Sequence, residues 1–275
     1  MLKVNIQKGP RGFCDSEGER IYYETHGEGE ALVFSHGMGG SHAIWYQQVP
    51  VFAQSYRVIT WDHRGFARSS DDAGKSGPAA AVNDLRAILD HLEIDKAHLV
   101  GQSMGGWTVL GFAVKHPERV ITLTLADTIG GIFNPRIEQA YEEMIERRGA
   151  LAVPDDMPMG SHPALGKQLA GQNLAQAFLY EQIGSVAEPP PTAVRTLLRS
   201  TSYPHEDLKK LTMPIQFIVG DNDPLFPPEV IREAATILPP KRVVEIPNTG
   251  HSPYFESPDK WNEALAQFLK TSGSA

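Results

Sequence analysis

Gly101-Gln102-Ser103-Met104-Gly105 sets a serine between two glycines, where an apolar run gives way to a helical pattern. A hydroxyl raised on so tight a turn can serve as a nucleophile, because a side chain at either glycine would crowd the bend and a helix start supplies N–H groups. The same pentapeptide suits a plain glycine-rich turn with Ser103 capping the helix. Serine attacks an acyl carbon only when a base takes its proton. The chemistry therefore requires a histidine close in space and an acid to orient it, neither of which need be close in sequence.

Other chemistries find less support. Gly37, Gly39 and Gly40 cluster, but in neither a phosphate-loop spacing nor the ordered dinucleotide fingerprint. No HExxH, EF-hand loop or cysteine–histidine cluster is present, so no metal and no cofactor are expected. With 33 acidic and 25 basic side chains the net charge is −8, which disfavours a nonspecific hold on nucleic acid. The single cysteine, Cys14, cannot form an intramolecular disulfide, which fits a reducing compartment. No stretch approaches eighteen apolar residues, and Met1-Leu2-Lys3-Val4-Asn5 lacks the apolar run of a secretory signal. The expectation is a cytoplasmic protein with no membrane role and a small-molecule partner; homo-oligomerisation is left open.

The elements that must position Ser103 follow from periodicity. Ile21–Tyr23, Ala31–Phe34 and Tyr56–Trp61 read as strands, punctuated by glycine. From Ala81 the period lengthens: Leu85, Ile88 and Leu92 form a helical stripe leading to a strand at His98–Val100. Met104–Val114 reads as a helix and Val120–Leu125 as a strand ending before Asp127. Repeated strand–helix–strand order implies a mostly parallel sheet. After Gly130-Gly131 the pattern becomes helical, around Arg136–Arg148 and Leu165–Ile183, interrupted by Pro154, Pro158, Pro163 and Pro189-Pro190-Pro191. This stretch, residues 132–205, is expected to be a helical cap inserted into a core made of 1–131 and 206–275. The sheet pattern returns at Ile215–Val219 and Arg242–Ile246, separated by a helix over Pro228–Ile237. A closing helix is expected from Asp259 through Phe268, with Thr271–Ala275 as a loose tail.

In this context the chain resembles the α/β-hydrolase superfamily across both core portions, with several motifs in the family's order. Ser35-His36-Gly37-Met38-Gly39-Gly40 is similar to the family's oxyanion loop. Asp62-His63-Arg64-Gly65-Phe66-Ala67-Arg68-Ser69 is similar to its D-x-R-G-x-G-x-S segment, with Ala67 replacing the second glycine. The resemblance implies an α/β fold with a mostly parallel sheet of eight strands flanked by helices. It places Ser103 as nucleophile, Asp223 of Gly220-Asp221-Asn222-Asp223-Pro224 as acid, and His251 of Asn248-Thr249-Gly250-His251 as base. Asp221 shares the acid's loop, and Asp127, after the sixth strand, is the alternative acid. The backbone N–H groups of Met38 and Met104 are the expected oxyanion donors, with Gly37 and Gly39 allowing close approach. His36, Gly37, Trp107, Met144 and Phe178 are candidate pocket residues. Met157, Met159, Leu165, Leu169 and Leu179 suit either the cap's underside or its own core. Asp62, His63 and Arg64 are expected to be structural.

The activity implied is hydrolysis of a small or medium ester, thioester or lactone through an acyl-enzyme, as in small capped esterases and enol-lactonases. Carbon–carbon bond cleavage of a vinylogous diketone is the enzymatic alternative. A noncatalytic small-molecule receptor on the same fold is the other.

Overall fold

A computed structural model of the chain describes residues 6–149, 158–186, 191–239 and 241–272. The apolar runs become β1 (Lys8–Ser16), β2 (Glu19–His26), β3 (Ala31–Ser35), β4 (Arg57–Trp61), β5 (Ala97–Gln102), β6 (Val120–Ala126), β7 (Ile215–Gly220) and β8 (Lys241–Ile246). They join one eight-stranded sheet in the order β1-β2-β4-β3-β5-β6-β7-β8. The β1–β2 and β2–β4 pairs are antiparallel and the others parallel, so the sheet is mostly parallel, as expected.

Helices α1 (Val49–Phe52), α2 (Pro78–His91), α3 (Met104–Lys115), α4 (Pro135–Gly149), α5 (Leu169–Gln172), α6 (Leu174–Ser185), α7 (Thr192–Ser200), α8 (His205–Leu208), α9 (Pro228–Ile237), α10 (Pro253–Glu256) and α11 (Pro258–Ser272) surround it. Alternate residues of the central strands feed two cores, because successive side chains leave a strand on opposite faces. Val33, Leu99, Leu123 and Phe217 join Leu85 of α2, Phe112 of α3 and Ile231 of α9 in one. Leu32, Phe34, Val100 and Ile218 join Phe52 of α1 and Trp261 and Leu265 of α11 in the other. Burial on both faces makes these strands read as continuous apolar runs rather than alternating ones.

From β3 the chain steps to one side to lay down β4, then crosses back to the other side for β5. Such a reversal opens a crevice at the carboxyl ends of the strands. Because β3, β5, β6, β7 and β8 run parallel, the loops that follow them all emerge at that edge. Helices α4 to α8 fill the connection from β6 to β7; α4 to α7 form the inserted helical cap, and α8 leads back toward β7.

Several expectations change in detail. The edge strand β1 escapes the periodicity because its Gly9, Pro10 and Gly12 look like loop, and the pairing with β2 shifts register between Lys8 and Arg11. The helical stretch expected over Leu165–Ile183 is two helices, broken at Asn173, whose side chain caps α6 by accepting from Gln176 N. Thr271 and Ser272, expected in a loose tail, continue α11. The rest of that tail, together with Met1–Asn5, Pro154, Met157, Pro189 and Pro190, lies outside the described residues. No helix among the described residues is long and apolar enough to cross a membrane.

Candidate active site

Ser103 sits between β5 and α3 with φ 49° and ψ −116°, a conformation that side-chain-bearing residues seldom adopt. Its backbone is held on both sides: its N–H donates to Ala126 O at 2.9 Å, and its carbonyl accepts from Gly106 N at 2.9 Å and Thr128 Oγ1 at 2.7 Å. The flanking glycines have a steric reason. A Cβ on Gly101 would lie 2.4 Å from Gly105 O, and one on Gly105 would lie 2.2 Å from Ser35 O. The sequence folds into this turn because glycine alone lets β3, β5 and α3 approach so closely.

His251 follows β8 and Asp223 follows β7, neighbouring parallel strands. His251 Nδ1 and Asp223 Oδ2 are 2.8 Å apart, and both side chains are buried. The second carboxylate oxygen of Asp223 accepts from Leu225 N at 2.7 Å and Phe226 N at 3.1 Å, which fixes its plane. With Nδ1 engaged by the acid, Nε2 is the nitrogen left to exchange a proton. No hydrogen bond joins Ser103 to His251 among the described residues; such bonds are often long before substrate binds. Gln102, the residue before the serine, donates from Nε2 to His251 O at 3.0 Å and ties the two loops together.

Asp127 ends its strand at φ 47° and turns toward the same cluster. Its Oδ1 accepts from Gly220 N at 2.9 Å, whereas its buried Oδ2 has no donor. Burial, reinforced by the charge of Asp223, pushes this carboxyl well above its ordinary range. Its protonated form is favoured accordingly. Ligating atoms of Asp127, Asp223 and His251 lie within 4.8 Å of one another, with histidine and Asp223 already satisfying each other. The expected ambiguity between the two acids is thus spatial as well as sequential, and the direct bond belongs to Asp223. Asp221 instead accepts from Asn222 Nδ2 and Thr249 N.

The loop carrying His251 has its own support. Glu256 accepts from Gly250 N, Ser252 N and, from the cap, Gly166 N at 2.8 Å. The two glycines meet closely: a Cβ on Gly250 would lie 2.5 Å from Gly166 N.

Ser103, His251, Met38 and Met104 line a cavity of about 590 Å³ beneath the cap. Ser35 and Gly101 are register partners in β3 and β5, so the loops bearing Met38 and Met104 emerge side by side. Met104 opens α3, where an N–H has no acceptor within the helix. Trp107 and Met144 line the cavity as expected, but His36, Gly37 and Phe178 do not. His36 is buried behind it: Nε2 accepts from His63 N at 3.0 Å, so Nδ1 carries the proton and donates to Gly37 O at 2.8 Å. Gly37 lies against Gln102, whose Oε1 would be 2.1 Å from a Cβ there and would have to turn away. Phe178 faces outward on α6 and is 39% exposed; Met159 and Leu179 are exposed too.

Asp62 accepts from His42 N and Arg68 N, Arg64 pairs with Asp84, and His63 bonds Thr108 Oγ1, so all three serve the scaffold. Tyr141, Ile145, His162, Arg195 and Leu198 line the cavity without any motif to mark them. The only sequence signal for Arg195 and Leu198 is their spacing of three on a helix.

A family model described as alpha/beta hydrolase fold matches residues 30–258. The chain is 26% identical over 262 residues to 3-oxoadipate enol-lactonase 1 of Acinetobacter baylyi, covering 93% of this chain and 95% of that one. It is 28% identical over 255 residues to a protein of Azorhizobium caulinodans provisionally named carbamate hydrolase RutD, covering 90% and 94%. Among solved structures it resembles Est816, described as an N-acyl homoserine lactone degrading enzyme, with TM-score 0.73, 26% identity and coverage of 94% and 100%. A malate-bound thermophilic esterase from Thermogutta terrifontis shares the fold, with TM-score 0.77, 24% identity and coverage of 97% and 99%.

Proposed function

The chain belongs to the α/β-hydrolase fold family, in its esterase and lactonase branch, and we propose that Ser103, His251 and Asp223 are its nucleophile, base and acid. The observation that carries this reading is the 2.8 Å contact of His251 Nδ1 with Asp223, His251 lining the same cavity as the strained Ser103. The substrate is a small or medium carboxylic ester or lactone, a class the lactonase relatives support. Residues 132–205 act as its cap.

In the first half-reaction Ser103 Oγ bonds to the acyl carbon as His251 Nε2 takes its proton. Negative charge collects on the former carbonyl oxygen, where the N–H groups of Met104 and Met38 stabilise it; losing one such donor costs about 3 kcal/mol. The acyl–oxygen bond of the substrate then breaks, and the leaving alcohol takes the proton from His251. In the second half-reaction His251 deprotonates water, which adds to the acyl carbon. The Ser103 ester bond breaks, the acid departs and the proton returns to Oγ. Asp223 holds the Nδ1–H tautomer and stabilises the imidazolium in both halves. The balance is ester plus water to acid plus alcohol.

The test is intact mass after exposure to a fluorophosphonate. One adduct on the natural protein and none on Ser103→Ala is expected; an adduct that persists on the folded variant would overturn the assignment.

A further inference from the structure

Among the described residues, the cavity wall carries one full charge, and its sign runs against the molecule's. In a chain of net charge −8, no Asp or Glu lines the cavity among the described residues, whereas Arg195 does. Its guanidinium is charged at every working pH. Arg64, Arg119, Arg136, Arg199 and Arg232 are each paired with a carboxylate, and Arg199, one turn along α7, pairs with Glu142. Arg195 has no ion pair among the described residues. Its position is set by packing: Val194 and Leu198 are buried and anchor α7, and Arg195 and Leu198, three apart, share the face that borders the cavity. Leu198, Met144 and Ile145 supply apolar wall beside it.

We propose that the preferred substrate is an acyl compound carrying an anionic group, such as a carboxylate, away from the scissile bond, with Arg195 as its binding residue. This rests on the hydrolase reading above. The planar guanidinium offers two parallel N–H donors to a carboxylate, while the apolar wall takes the intervening hydrocarbon. Arg195 is exposed, so the contact is partly screened and acts at the mouth of the cavity rather than in its depth.

The test compares 4-nitrophenyl butyrate with the mono-4-nitrophenyl ester of glutaric acid, which differs by a terminal carboxylate. The readout is the ratio of the two kcat/KM values, so any general loss of activity cancels. The natural protein should favour the anionic ester about three- to fivefold at low salt, the upper range for an exposed ion pair, and less as salt screens the pair. Arg195→Gln should bring the ratio near one, chiefly through KM of the anionic ester, and Arg195→Glu should invert it. Turnover of the neutral ester with no anionic preference, or a preference that survives Arg195→Gln, would overturn the proposal while leaving the hydrolase reading intact. Absence of both turnover and Ser103 labelling would instead count against the hydrolase reading. Calorimetric titration of glutarate into Ser103→Ala then reads anion binding alone. Binding lost on adding Arg195→Gln supports the proposal, and undetectable or unchanged binding defeats it.

Discussion

Removing Asp223 should cost far less than the loss of a lone orienting acid, because a second carboxyl is already in place. In Asp223→Ala the 2.8 Å partner of His251 Nδ1 disappears, and with no substitute the loss would be about 10⁴ in kcat. Asp127, however, has a carboxylate oxygen within 4.8 Å of a His251 ring nitrogen, and the charge of Asp223 is part of what disfavours its ionisation. Deleting that charge eases ionisation of Asp127, and a side-chain adjustment of about 2 Å brings a carboxylate oxygen to hydrogen-bond distance of the ring. The expected loss is therefore about 10², and the Asp223→Ala/Asp127→Ala double variant should fall to about 10⁴. The missing factor of about 100 corresponds to about 2.7 kcal/mol of rescue by Asp127. The assay is kcat/KM across pH for the natural protein, both single variants and the double. Burial still holds Asp127 above the ordinary carboxylate range, so the acid limb of the Asp223→Ala profile should move to higher pH. A single variant as impaired as the double, with both folded and no shift of that limb, would refute the rescue.

Asp127→Asn retains an oxygen for Gly220 N and replaces the acid proton by an N–H directed to Asp223. Because the folded protein holds the Asp127 proton more tightly than the unfolded chain does, stability falls as pH rises from about 4, the unfolded value, toward the raised folded one. The asparagine variant should lack that decline and show the higher Tm above pH 6 in thermal scans. Gly105→Ala should destabilise by roughly 3 kcal/mol or more in urea unfolding, since its Cβ meets backbone oxygens of Ser35 and His36 that cannot move aside. The control Gly12→Ala, whose Cβ meets nothing within 4 Å, should lie within about 0.5 kcal/mol of the natural protein. Ala67 adopts φ 46°, so Ala67→Gly should relieve left-handed strain and stabilise by about 0.5–1 kcal/mol after the entropy of glycine is deducted; equal or lower stability in the same assay would count against that strain.

What could be read in advance depended on how local its cause was. The turn at Ser103 announces itself because both glycines fall in one pentapeptide, although only Gly101 answers to a local atom, Gly105 O, and Gly105 answers to Ser35 O across the sheet. The central strands do so because burial on both faces leaves an uninterrupted apolar run. Residues joined by tertiary contact alone left no such trace. Asp127 and Asp223 are 96 positions apart, and only the pairing of β6, β7 and β8 reveals that both reach His251, and which one bonds it. His36 belongs to a pocket-like motif yet is turned inward by its bond to His63 N. Phe178 has the right residue type on the wrong face of α6. Arg195 was unmarked because a helix following a run of prolines gives no sign of which side the cap presents.

The three-way hold on Glu256 bears on attempts to transplant caps between relatives. One of its donors belongs to the cap; a Cβ on Gly250 would press on backbone N of Gly166 at 2.5 Å, and one on Gly166 would displace the Glu256 carboxylate, 2.7 Å away. A chimera given a foreign cap thus inherits a hidden requirement for a slender residue at the seam, presenting its N–H to a half-buried carboxylate. When that requirement is unmet, the defect should surface in turnover for every substrate rather than in the choice among them, because the slackened loop is the one that carries the base.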